Sequence, residues 1–166
     1  KKFAFGKPGF INTDKFYKTL KSLFTEDNFN VLEIPLYINA TNIITGENRT
    51  FNKGELIKPI LASAAFPGVY TPVEIDGKHY VDGGVLNNFP VEALKANNNK
   101  IIGVYVNPFG DLDIKELKYA YSVLERAYRI KSAKEDFEKF KVCDVVICPD
   151  QLNNFGIFDS SKVDKI

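Results

Sequence analysis

Residues 75–91, I-D-G-K-H-Y-V-D-G-G-V-L-N-N-F-P-V, carry the strongest structural signal in the chain. Short runs at 72–75 and 78–81 flank Asp76-Gly77, a dipeptide suited to a two-residue hairpin turn. The second run ends on Asp82, and Gly83 and Gly84 follow at once. Glycine accepts positive φ and lets backbone approach closely. A carboxylate is therefore expected at a strand end, on a sharp turn, with no side chain just after it to block access. In open α/β sheets, ligands bind at the carboxyl ends of strands. The competing reading is a turn aspartate that only bonds its own backbone amides. Pro90 is expected to open a short helix through Leu94, because proline fits a first helical turn. Asn87 or Asn88 would stand near its N-cap, with Asn88 and Pro90 shaping the loop after Asp82.

Outward from this segment, strands and helices alternate. Upstream, a helix is expected over 13–24, capped by Asn12 or Thr13, with Phe16, Leu20, Leu23 and Phe24 as its apolar face. Lys15, Lys18 and Lys21 fall outside that face and read as solvated. A strand is expected over 34–41, paired with a second through a turn at Thr45-Gly46. Residues 54–65 read as a short helix, with Pro59 in its first turn or at a break. Downstream, I-I-G-V-Y-V at 101–106 and V-C-D-V-V-I-C at 142–148 read as buried strands, the first covered on both faces. A long helix is expected over 113–140, with Leu117, Tyr121, Leu124, Tyr128, Phe137 and Phe140 as its core stripe. A last helix is expected from about Ser160. The alternation predicts one layered α/β domain.

Composition narrows the function classes. The chain has 166 residues, of which 45% are apolar and 26% charged, a globular profile rather than a disordered one. Its 22 basic and 21 acidic residues leave a net charge of +1, too little field to capture nucleic acid. No apolar run approaches the ~18 residues of a transmembrane helix. Cys143 and Cys148 stand five apart and would point to opposite sides of a strand, so neither a shared metal nor a mutual disulfide is expected. A reducing, cytoplasmic context follows, with contact at most with a membrane surface. The Lys- and Asn-rich composition points to an AT-rich, bacterial genome. The absence of Met, even at position 1, gives the expectation that the native start lies upstream.

His79 is the lone histidine. It precedes Asp82 by three, so on a regular strand the two side chains face opposite ways and cannot pair directly. No metal site and no cofactor are expected.

Four stretches recur in a known order: P-L-Y-I-N-A-T-N-I-I-T-G, A-S-A-A-F-P-G-V-Y-T-P-V, the segment already quoted, and I-I-G-V-Y-V. Together they resemble the C-terminal half of the patatin-like phospholipase family. The resemblance implies the C-terminal portion of a single three-layer α/β/α domain with a mainly parallel central sheet, extending over residues 1–166. It implies a serine acyl hydrolase acting on phospholipids or other acyl lipids through a Ser–Asp dyad, without a catalytic histidine. Asp82 corresponds to the aspartate of the family's D-G-[GA] motif, and Gly83, Gly84 and Asn88 to the loop around it.

Two family motifs are missing. The six serines, Ser22, Ser63, Ser122, Ser132, Ser160 and Ser161, all lie outside G-x-S-x-G, and the lone Gly-Gly pair is Gly83-Gly84. The nucleophile elbow and the glycine-rich oxyanion loop would belong to an N-terminal half, in this or a companion chain. That half would hold two strand–turn–helix units, on the order of 60 residues or more. The chain alone is then expected to be inactive, and to expose an apolar edge or face where that half would pack. Asn42 and Tyr70 also depart from the family, which commonly has Asp and Phe there. Ser63 reads as a packing residue. N-A-T at Asn39 and N-R-T at Asn48 fit the glycosylation pattern by chance. Two other readings remain at this level: a non-catalytic module that binds acyl lipid or a protein, and a phosphate- or metal-binding turn in an unrelated α/β protein.

Overall fold

The turn dipeptides fix the sheet. The computed structural model describes residues 9–97, 100–107, 110–117, 119–149 and 151–152, without the side chains of 96, 97, 116 and 121. The chain divides into two compact units, Lys1–Pro90 and Val91–Ile166.

In the first unit, β1 (Ile38–Asn42) and β2 (Glu47–Phe51) form one hairpin. Asn42 builds its turn: its side-chain oxygen accepts from the backbone N–H groups of Ile44 and Thr45, and Gly46 has φ of +67°. The second hairpin joins β3 (Val73–Ile75) to β4 (Lys78–Asp82). Asp76 and Gly77 have φ of 52° and 70°, both positive as a type I′ turn requires. β1 also pairs antiparallel with β4, so the order is β2-β1-β4-β3. This four-stranded sheet is wholly antiparallel, which corrects the expected mainly parallel central sheet. Turns of four residues (43–46) and two (76–77) leave no chain for a crossover, so each hairpin must be antiparallel.

One face of the sheet carries Ile38, Ala40, Phe51, Val73, Ile75 and Tyr80, all buried. Against it packs α2 (Ile57–Ser63), with Ile57, Leu61 and Ala62 inward and Leu56 buried just before it. Burial of each large aliphatic contributes about 1.5–3 kcal/mol. Pro59 is at the third helical position, where its missing N–H costs nothing. The helix α1 (Asp14–Lys21) is shorter than expected. It packs through Tyr17 and Leu20, joined by Phe24, while Phe16 and Leu23 are exposed. Asn12 rather than Thr13 holds its start, accepting from the Asp14 N–H.

The start of α2 is capped from a distance. Asp27 Oδ1 accepts the backbone N–H groups of Leu56 (2.9 Å) and Ile57 (2.8 Å), and its Oδ2 accepts the Tyr17 hydroxyl (3.0 Å). That contact raises the Tyr17 hydroxyl above its ordinary pKa, because the carboxylate prefers a protonated donor. Asp27→Ala leaves two helix-start donors without this partner and is expected to destabilise the unit by about 1–2 kcal/mol in urea unfolding. Asp27→Asn, which keeps the Oδ1 acceptor, should lose clearly less. Equal losses would contradict the capping role.

In the second unit, β5 (Ile102–Val104) and β6 (Val145–Ile147) form a parallel pair. The helix α3 (Ala120–Lys139) starts later than expected, because residues 114–116 form a separate 3-10 turn and the Ser122 hydroxyl accepts the Tyr119 N–H as a cap. The segment after Pro90 is likewise a 3-10 helix, Val91–Asn97. Short connectors commonly adopt that geometry. The expected core stripe of α3 is also corrected: Leu124 is 62% exposed, whereas Ala133 and Asp136 are buried. Tyr105 anchors the contact. Its ring meets Phe137 and Phe140 edge-on, and its hydroxyl donates to Asp136 Oδ2 at 3.1 Å. Burial, then the Asp136 charge, raises the Tyr105 hydroxyl above its ordinary pKa.

The expectation that 101–106 is covered on both faces fails. Ile102, Val104, Val145 and Ile147 share one face of the parallel pair and are 47–64% exposed. Among the described residues, no helix is long and apolar enough to cross a membrane. The expected helix near Ser160 lies outside the described residues.

Candidate active site

Asp82 is the last residue of β4, and its main chain is held on two sides. Across the ladder it faces Ala40 of β1, and its N–H donates to the Ala65 carbonyl at 3.1 Å. Ala65 belongs to the A-S-A-A-F-P stretch and is fully buried, so that stretch fixes Asp82 from behind. The chain then turns sharply into a 3-10 turn, Gly83–Val85. The Gly83 carbonyl accepts the N–H groups of Leu86 (3.1 Å) and Asn87 (2.9 Å).

The carboxylate itself is half-buried. Its Oδ1 accepts the Gly84 N–H at 2.8 Å, and among the described residues its Oδ2 has no partner. No cation lies against it among those residues. Burial therefore raises its pKa above the ordinary carboxylate value, and the Gly84 N–H offsets only part of that rise. A half-buried carboxylate with one oxygen open and no counter-charge can accept a proton or orient a hydroxyl.

Gly83 has a steric reason. A Cβ there would lie 2.4 Å from the Asn39 carbonyl oxygen and 2.7 Å from its carbon. No side chain fits, because the turn lies directly on the backbone of β1. Gly84 supplies the donor to Asp82. Asn88 is half-buried just past the turn, and Pro90 is exposed. His79 lies on the opposite face of β4, paired with Glu74 and exposed. The regular ladder through β4 keeps it away from Asp82.

Sequence reasoning passed over two residues at this site. Asn39 and Thr41 of β1 are buried, polar and on one face. Asn39 Nδ2 donates to the Asn87 carbonyl at 3.1 Å, and Thr41 Oγ1 donates to the Gly83 carbonyl at 3.4 Å. The signal was present: polar residues alternating with Ile38 and Ala40 inside a strand must find partners if both faces are buried.

A depression of about 410 Å³, lined by Asn42, Glu47, Asn48, Arg49, Lys78 and Tyr80, opens toward the other end of β4 and does not include Asp82. Arg49 stacks on Phe51 there and is already bonded to Asp76 and Tyr80. Among the described residues, no group of three or more His, Cys, Asp or Glu side chains could hold a metal ion.

Comparison with known proteins places the chain in a family. An uncharacterized NTE family protein of Mycobacterium tuberculosis is 31% identical over 90 residues, covering 54% of this chain and 25% of the relative. Lysophospholipase NTE1 of Cryptococcus neoformans is 29% identical over 97 residues, covering 58% of this chain and 6% of the relative. A probable lipid hydrolase of Invertebrate iridescent virus 6 is 38% identical over 47 residues, covering 28% of this chain and 16% of the relative. The chain thus spans a quarter or less of the length of these three relatives. The family profile of the patatin-like phospholipases matches residues 1–95, more than half of the chain and all of the turn around Asp82. On that match, the chain belongs to the patatin-like phospholipase family.

Proposed function

We propose that this chain supplies the aspartate of a Ser–Asp dyad in a lipid acyl hydrolase. Asp82 takes the proton of a serine hydroxyl and orients it toward the ester carbonyl. The serine, in a G-x-S-x-G elbow, and the backbone donors of the oxyanion hole come from further chain packed beside this one. Residues 1–166 are then the C-terminal part of a single domain. The substrate class is an ester of phospholipid or another acyl lipid, in keeping with the lysophospholipase and lipid hydrolase named among the relatives.

The observation that carries this reading is the Asp82 carboxylate: half-buried, at a strand end, with Oδ2 open among the described residues and no cation beside it. The half-exposed apolar face of β5 and β6 among the described residues is in keeping with further chain, since parallel sheets are ordinarily covered on both faces. The competing reading is a module that binds acyl lipid or a protein without catalysis.

The 166-residue chain alone is expected to show no turnover of a p-nitrophenyl acyl ester. The protein that also carries the elbow should turn it over, with sensitivity to a fluorophosphonate. Turnover by this chain alone, blocked by that reagent, would overturn the division of labour. No turnover by the longer protein would favour the binding module.

A further inference from the structure

We propose that Asn39 and Thr41 are positioning residues for Asp82, clamping the turn that carries it onto β1. The inference rests on the dyad reading above for its catalytic consequence, though not for its geometry.

β1 is buried along its whole length, so both of its faces need cover. Ile38 and Ala40 face the apolar core with α2. Asn39 and Thr41 face the other way, 7% and 2% exposed. An apolar pair would be the simpler filling for such a site, since a buried polar group is costly unless bonded. These two are bonded, and both bonds end on the turn after Asp82. Thr41 Oγ1 reaches the Gly83 carbonyl at the start of the turn, and Asn39 Nδ2 reaches the Asn87 carbonyl at its end. The Asn39 amide is itself oriented from β2. Thr50 is its direct partner across the ladder, and the Thr50 hydroxyl donates to Asn39 Oδ1 at 3.3 Å. One chain of bonds thus runs from β2 through Asn39 to the end of the turn, and Thr41 holds its start separately.

The consequence follows from how Asp82 is held. Among the described residues its side chain has one anchor, the Gly84 N–H at 2.8 Å, and Gly84 is inside the clamped turn. If the turn lifts from β1, Gly84 moves and the carboxylate loses its orientation. Gly83 leaves the turn room to lie flat on β1, and the two side chains hold it there. The same bonds account for Asn39 in N-A-T: its Nδ2 is buried and committed to Asn87, so it is no site for a glycan.

The experiment uses the protein that carries both this chain and the elbow serine. Asn39→Ala and Thr41→Val are compared with Thr41→Ser, which keeps the hydroxyl. Hydrogen exchange is read at the Gly84, Leu86 and Asn87 amides, and steady-state kinetics on a p-nitrophenyl ester. Asn39→Ala and Thr41→Val should speed exchange at those three amides. They should lower kcat by about 10–10² fold, because small misplacements of a catalytic group have effects of that size. KM should stay within about twofold, since substrate binding is not what the clamp serves. Thr41→Ser should restore both readouts. Unchanged exchange at the three amides overturns the clamp, whatever the kinetics show. Faster exchange with unchanged kcat overturns the positioning role. A wild-type protein without ester turnover would instead sink the dyad reading, and exchange alone would then decide the clamp.

Discussion

Asp82→Asn is expected to remove ester turnover from the complete protein while leaving it folded and, at neutral pH, more stable. The loss of rate should be on the order of 10²–10⁴ fold, the usual contribution of a positioned general base. The amide keeps an Oδ1 that accepts from Gly84, so the turn survives. It cannot take a proton from serine. The stability gain has a definite sign. Burial raises the Asp82 pKa in the folded chain above its unfolded value. The folded state then binds the proton more tightly, and folding stability falls as pH rises from the unfolded pKa through the folded one. Asn carries no such penalty. Urea unfolding of wild type and Asp82→Asn should therefore agree at acid pH and diverge above the ordinary carboxylate range, with the variant more stable. An active site commonly holds such a group at some cost to stability. A variant that unfolds more easily at neutral pH would mean that Asp82 is a structural turn residue.

Gly83→Ala is expected to destabilise the first unit strongly. The added Cβ would lie 2.4 Å from the Asn39 carbonyl oxygen, far inside contact distance. It meets backbone, not the flexible end of a side chain. β1 cannot retreat either, because it is paired to β2 on one side and β4 on the other. The turn must lift, breaking the Asn39 and Thr41 bonds to it and displacing Gly84. A loss at or beyond the upper end of the about 1–3 kcal/mol seen for overpacking is expected. Gly77→Ala is the control. Gly77 has φ of 70° but open space around its Cβ position, so the variant should lose only about 1 kcal/mol. Comparable urea midpoints for the two variants would show that close approach at Gly83 does not matter.

The hairpins and the site turn were legible because their chemistry is local. Asp76-Gly77 needs positive φ at both positions, and only a tight antiparallel turn uses that. Asp82-Gly83-Gly84 at a strand end pointed to a carboxylate on a sharp turn, and the turn is present, with the carboxylate half-buried on it. The opposed directions of His79 and Asp82 follow from strand alternation.

What was not legible depends on distant partners. Asp27 reads as an ordinary loop residue, yet it caps α2 from about thirty positions away, because Leu56 offers no capping side chain of its own. Phe16 and Leu23 have helical spacing, but the direction from which the sheet and α2 cover α1 selects Tyr17 and Leu20. Among the described residues, the parallel sheet expected from the family appears only as β5 and β6, with one apolar face half-exposed, since periodicity cannot say which strands have neighbours within the chain. Asn39 and Thr41 were hidden by a glycosylation pattern that coincides with a buried polar pair.

The most direct test of Asp82 as the dyad carboxylate is the pH dependence of fluorophosphonate labelling of the elbow serine in the complete protein. The rate should rise as Asp82 ionises, with a midpoint above the ordinary carboxylate range, and Asp82→Asn should abolish that rise and nearly all labelling. Labelling of Asp82→Asn at the wild-type rate at neutral pH would contradict the account.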